Sequence, residues 1–268
     1  NTAVARSYEE VSEKLRDGEY DVALLTPLLF VRTRRAERDV KPLALREFDG
    51  SVRSNGLLLV RSGAAIDELA DLRGKTFCFT DRNSTTGNFL PRVFIRRSGF
   101  EPQDFIGRVH WSGNHLQVLK DLVDGKCSAA ATYSGSYLTA DEHEVQVGKF
   151  RQLAVTGYTP SDTVTGRPGL PETLTREMKA ALLRFDPNKH AGVSAVGTTY
   201  QLTGFREPKE KFYRSLEKAV DDNQDILDRF DFPGISTVDS AESTTDTDSG
   251  TDAGVGGDDG GDAAGGAE

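Results

Sequence analysis

The sequence predicts an α/β protein of two lobes, mainly parallel sheets flanked by helices, followed by a long acidic tail. Three observations predict it. Short compact apolar runs alternate with amphipathic runs along residues 8–185, the pattern of β–α–β units. The connections between them are short, and several helical runs end at a glycine (Gly18, Gly74, Gly99, Gly125), where a left-handed residue closes a helix at least cost. The last 33 residues contain no aromatic residue, Lys or Arg, and such a composition cannot bury enough apolar surface to offset ordering entropy.

In order, residues 8–16 read as an amphipathic helix closed by Asp17-Gly18. Residues 20–25 form a continuous apolar strand, of the kind buried on both faces of a parallel sheet, stopped by Thr26-Pro27. Residues 28–38 read as a helix, 41–45 and 56–60 as strands, and 66–72 as a short helix. A second block follows: strand 76–79, helix 89–98, strand 108–111, helix 115–123 and strand 127–132, the signature of a parallel sheet with right-handed crossovers. Residues 150–155 form a further strand. Pro171 opens a helix to Phe185, at the first position where its missing N–H costs nothing, and 207–230 is helical. The second block is inserted in the first. We therefore divide the chain into a first lobe (1–72), an inserted second lobe (73–155), a return with C-terminal helices (156–235) and a disordered tail (236–268).

The chain has 33 basic and 42 acidic residues, net −9, and the tail carries nine of the acids. Setting it aside leaves 33 of each sign and a neutral body, which gives no support for a nucleic-acid surface. The runs Arg32-Thr33-Arg34-Arg35 and Arg96-Arg97 are too short for a basic stripe and read as solvated helix faces. No stretch approaches the roughly 20 apolar residues of a membrane helix. Cys78 and Cys127 each lie in a buried strand and read as free thiols packed as small hydrophobes; a disulfide between them is the alternative.

Chemistry concentrates at strand ends. Asp81-Arg82-Asn83-Ser84-Thr85-Thr86-Gly87 places three hydroxyls in a row between a strand and a helix. Ser and Thr cap free N–H groups at a helix start, those N–H groups and the helix dipole attract anions, and each hydroxyl can donate to an oxyanion oxygen. Gly87 leaves room for close backbone approach. No Lys follows it, so this is not a nucleotide P-loop. Trp111-Ser112-Gly113-Asn114-His115 occupies the equivalent place in the next unit, so His115 is expected to converge with Ser84–Thr86 at the carboxyl ends of the strands. Thr26 at the end of the early strand, and Tyr158 and Asp162 on the return, face the same region. Ser84, His115 and Asp162 resemble a hydrolase triad in composition, but Ser84 lacks the Gly-x-Ser-x-Gly elbow. The four histidines are scattered and no Cys pair has metal-ligand spacing, so neither a metal nor a cofactor is expected.

Three ordered pieces, Asp81-x-Asn83-Ser84-Thr85-Thr86-Gly87, Ser112-Gly113-x-His115 and Tyr158-Thr159-Pro160-Ser161-Asp162, resemble the phosphate/phosphite/phosphonate substrate-binding proteins of ABC importers, over residues 7–185. Flanking pieces fit in order, among them Leu69-x-x-Leu72-Arg73-Gly74-Lys75. The resemblance implies a two-lobed type II periplasmic binding fold that is not an enzyme. It implies a periplasmic or extracytoplasmic monomer partnered by a small phosphorus oxyanion and a membrane permease. It places the phosphorus oxygens on Ser84, Thr85 and Thr86, adds His115, and gives Asp162 the contact with the substituent that amino-phosphonate binders make. It further implies that the family's opening strand is missing before Asn1. The sequence departs from the pattern at Thr26-Pro27-Leu28-Leu29-Phe30, where the family carries Gly-Pro-x-x-Tyr. It also offers no carboxylate within 132–136 to pair an ammonium, which favours a smaller or uncharged-tail anion. A sensor domain of the same fold is the alternative reading.

Overall fold

A computed structural model describes residues 2–190 and 202–228. The acidic tail and the end of the 207–230 helical run lie outside the described residues. Two sheets organise the rest. The first runs β1 (Val22–Leu25), β8 (Thr163–Gly166), β2 (Lys41–Phe48), β9 (Leu202–Arg206); the second runs β5 (Arg108–Trp111), β4 (Thr76–Phe79), β6 (Ala129–Tyr133), β3 (Arg53–Arg61), β7 (Phe150–Pro160).

The α/β class is as the sequence predicts, but most pairing is antiparallel. Among the described strands only β4–β5 and β4–β6 pair in parallel. β1 and β2 do run the same way, but β8 lies between them and antiparallel to both. Thr163-Val164-Thr165 carries no apolar run, and the sequence predicts no element there. In the fold Thr163 and Thr165 are fully buried, because a β-branched hydroxyl residue fits a pleated, half-buried surface. The partition of the chain also shifts: β3, expected in the first lobe, hydrogen-bonds to β6 and β7. The division between sheets therefore falls between β2 and β3, not at Leu72.

Side-chain alternation builds the second sheet's two cores. Leu58, Val60, Phe77, Phe79, Ala129 and Ala131 face one side; Leu57, Leu59, Cys78 and Ala130 face the other, as a period of two requires. On the second side, Cys78 and Cys127 form a disulfide, with Cα atoms 5.7 Å apart. This corrects the free-thiol expectation. The parallel register sets Phe77 opposite Ala129 and Cys78 opposite Ala130; Cys127, just before β6, lies in the same core as Cys78, and the bridge joins them there. A third core joins α1 (Tyr8–Arg16), α2 (Pro27–Ala36), α3 (Leu90–Arg97) and the helix Arg214–Asp222 through Leu15, Phe30, Val93, Tyr213 and Leu216. The Tyr213 hydroxyl reaches Thr163 Oγ1 at 2.8 Å, which satisfies two buried polar groups at once.

The chain crosses between the sheets twice, from Phe48 to Arg53 and from Pro160 to Thr163. The crossings lie side by side: Ser161 N–H donates to the Val52 carbonyl at 2.8 Å.

Candidate functional site

A cavity of about 130 Å³ opens where the two crossings meet the strand ends. The first sheet's side supplies Tyr8 from α1, Thr26 and Pro27 at the β1–α2 turn, and Arg46 and Phe48 from β2. The second supplies Ser54 of β3, Ser84, Thr85 and Thr86, His115, Tyr133 at the end of β6, and Thr159 and Pro160 of β7, with Ser161 and Asp162 from the return crossing.

The hydroxyl turn is built from its own sequence. Asp81 Oδ1 accepts from Asn83 N–H at 2.7 Å, an Asx turn. Arg32 of α2 donates to the Asn83 side chain. Ser84 is the N-cap of the helix that follows: its Oγ accepts from Gly87 N–H at 3.0 Å. The first turn, Thr85–Phe89, is π-wound before α3 continues, a local widening often found at functional sites. Below it, Arg92 is 1% exposed and donates to Asn88 Oδ1 at 2.7 Å, and Asn88 Nδ2 donates to the Arg82 carbonyl at 2.8 Å. Gly87 has a different role from the one expected. A Cβ there would lie 2.1 Å from Thr80 Oγ1, so its missing side chain admits Thr80 rather than a ligand.

A second helix start meets the first. Thr26 caps α2, accepting from Leu29 N–H at 3.3 Å and donating to the Asn83 carbonyl at 3.2 Å. Thr85 Oγ1 accepts from Leu28 N–H at 2.9 Å. Thr85 and Ser84 thus each take a backbone N–H on the oxygen, which leaves the O–H hydrogen as a donor.

His115 starts α4 (His115–Val123), behind an Asn114 cap. Its Nδ1 lies 3.0 Å from Thr132 Oγ1, and its ring meets Tyr133 edge-on at 4.8 Å. Burial lowers its pKa to about 4, so the imidazole is neutral near pH 7. Asp162 is pushed up by burial, an effect opposed by the Arg46 guanidinium. Burial and the Asp162 charge also push the Tyr8 and Tyr133 phenols up.

The sequence-predicted Ser84, Thr85, Thr86, His115, Asp162 and Thr26 all line this cavity. Tyr158 does not. It is 64% exposed on β7 and lines a separate groove with Arg53, Arg97 and Lys211, because strand alternation turns it away from Thr159. Sequence reasoning missed Tyr8, Arg46, Phe48, Ser54, Tyr133 and Ser161. The hydroxyls of Ser54, Thr159 and Ser161 are buried without a hydrogen-bond partner in the described structure. Buried hydroxyls normally have partners, and Ser54 and Thr159 sit opposite each other in the β3–β7 register. The arrangement can surround a small polar anion with donors from both sheets. It has no nucleophile–base relay: among the described residues His115 pairs with Thr132, Asp162 with Arg46, and Ser84 with Gly87.

Residues 1–213 match the family model described as ABC transporter, phosphonate, periplasmic substrate-binding protein. Among solved structures, the chain is similar to PhnD1 of Prochlorococcus marinus in complex with methylphosphonate, with TM-score 0.70 and 19% identity over 82% of this chain and 84% of that one. It is similar to a Xanthomonas citri protein bound to ATP, with TM-score 0.70 and 21% identity over 86% and 87%. A binding protein component of an ABC phosphonate transporter from Pseudomonas aeruginosa aligns with TM-score 0.64 and 14% identity over 85% of each chain.

Proposed function

Because the chain belongs to the periplasmic phosphonate substrate-binding family of ABC transporters and has the type II periplasmic binding fold, we propose that it captures a small phosphorus oxyanion outside the cytoplasm and delivers it to a membrane permease. The observation that carries this reading is the cluster of hydroxyls around the cavity. Ser84, Thr85 and Thr86 line it together with the unpartnered Ser54, Thr159 and Ser161. A tetrahedral oxyanion offers several acceptor oxygens in all directions and would satisfy these groups together.

Size narrows the choice. Pockets for drug-sized ligands run to roughly 300–1,000 Å³, whereas this cavity is about 130 Å³. Phosphite, phosphate or methylphosphonate suits it, and a nucleotide such as that bound by the Xanthomonas protein does not. In this reading the cavity is the cleft between two lobes. The ligand binds open protein at the hydroxyl turn, and the lobes rotate about the paired crossings to enclose it, the hinge closure typical of periplasmic binders. No bond is made or broken. Among the described residues no helix is long and apolar enough to cross a membrane, and the permease supplies the membrane contact. Isothermal titration with phosphate, phosphite and methylphosphonate tests the reading. We expect one site and at least micromolar affinity for one of the three. Absence of heat with all three would refute it.

A further inference from the structure

The cavity wall holds one permanent cation, Arg46, and one carboxylate, Asp162. They belong to each other. Arg46 Nη1 donates to Asp162 Oδ2 at 3.3 Å, and Arg46 N–H donates to the Asp162 backbone carbonyl at 3.1 Å. The guanidinium also lies over the Phe48 ring, 4.5 Å from its centroid, because residues two apart on β2 share a face. A backbone tie, a ring beneath and a carboxylate ahead fix the pair across the return crossing. A guanidinium has five N–H donors, so Arg46 retains others for a ligand oxygen.

An aminoalkyl phosphonate would bring an ammonium into this wall. A buried ammonium is costly unless it is paired, and Asp162 is the one carboxylate in the lining. Taking it would set the ammonium against the guanidinium already there, and like charges so placed cost several kcal/mol.

We propose that Arg46 sets ligand choice: by occupying Asp162 it turns away ligands with a cationic tail and reserves the cavity for phosphorus oxyanions with an uncharged substituent. This rests on the oxyanion reading above. It reverses the role that the family resemblance gives Asp162, whose partner here is the protein's own side chain.

The test is titration of methylphosphonate and 2-aminoethylphosphonate into the wild type and Arg46→Met, which keeps an apolar stem over Phe48. Wild type is expected to prefer methylphosphonate by about 100-fold or more. Arg46→Met should weaken methylphosphonate binding and strengthen 2-aminoethylphosphonate binding, each about 10-fold, reversing or levelling the order. Wild type that binds the two within about threefold, or a variant that weakens both in parallel, overturns the proposal. Wild type that binds neither ligand overturns the oxyanion reading and this proposal with it, a result distinct from equal binding. Asp162→Asn gives an independent arm. With the guanidinium released to the ligand and one negative charge removed from the wall, methylphosphonate should bind about threefold to tenfold more tightly, and 2-aminoethylphosphonate should stay weak. Methylphosphonate affinity that holds or falls overturns the proposal, since Asp162 would then not be what restrains Arg46.

Discussion

Replacing Cys78 and Cys127 together by alanine should cost the protein several kcal/mol of stability while leaving ligand affinity intact. The bridge joins residues 49 apart in sequence. Cross-linking a loop of that length removes chain entropy from the unfolded state worth about 4 kcal/mol. For a domain of this size each kcal/mol moves Tm by roughly 2–4 °C, so the midpoint should fall by roughly 8–16 °C. Neither cysteine lines the cavity; both belong to the core that holds Leu57, Leu119 and Phe150. Titration calorimetry at 20 °C should therefore return an unchanged Kd. Urea unfolding of the variant and of wild type with and without reductant measures the effect. The slope m should rise when the bridge is absent, because the released chain expands. A loss below about 1 kcal/mol, with m unchanged, would refute the argument that the bridge acts on the unfolded ensemble.

The remaining expectations concern the site. Ser84→Ala and Thr86→Ala should each weaken oxyanion binding by roughly 10–100-fold, the worth of a hydrogen bond to a charged group. Ser84→Ala should also cost about 1 kcal/mol of stability through the lost N-cap, a difference readable by paired titration and thermal melts. His115 has a folded pKa near 4, below that of the unfolded chain. The unfolded state therefore takes up a proton first, and ligand-free protein should lose stability as pH falls from about 6.5 to 4. The loss should be roughly 2–3 kcal/mol and should shrink in His115→Gln, measured by urea melts across that window. Gly87→Ala should push Thr80 and the hydroxyl turn apart, costing about 1–3 kcal/mol and most of the binding; a variant that melts and binds like the parent would contradict the packing described.

What could be read from sequence was local. The hydroxyl turn, Thr26 and His115 are each announced within a few residues by a strand end, a cap residue and a helix start, and short-range rules govern those. Arg46 and Asp162 are 116 positions apart, and Ser54 and Thr159 more than 100. Each set meets only because the crossings run together. A faint signal did exist for Arg46: it directly follows the apolar Leu43-Ala44-Leu45, at the end of a strand, where sites gather in α/β folds. β8 was illegible because its partners β1 and β2 are formed well over 100 residues earlier, and its Thr-rich sequence carries no apolar run. The cysteine pairing depends on β4 and β6 being neighbours in one sheet, which neither strand encodes alone.

Because Arg46 and Asp162 cancel, and His115 is neutral near pH 7, the cavity presents almost no net charge to solution. An anion feels little pull until it touches O–H and N–H dipoles at contact range. Capture should then vary only weakly with ionic strength, so the protein would collect its cargo as readily in brackish surroundings as in dilute ones.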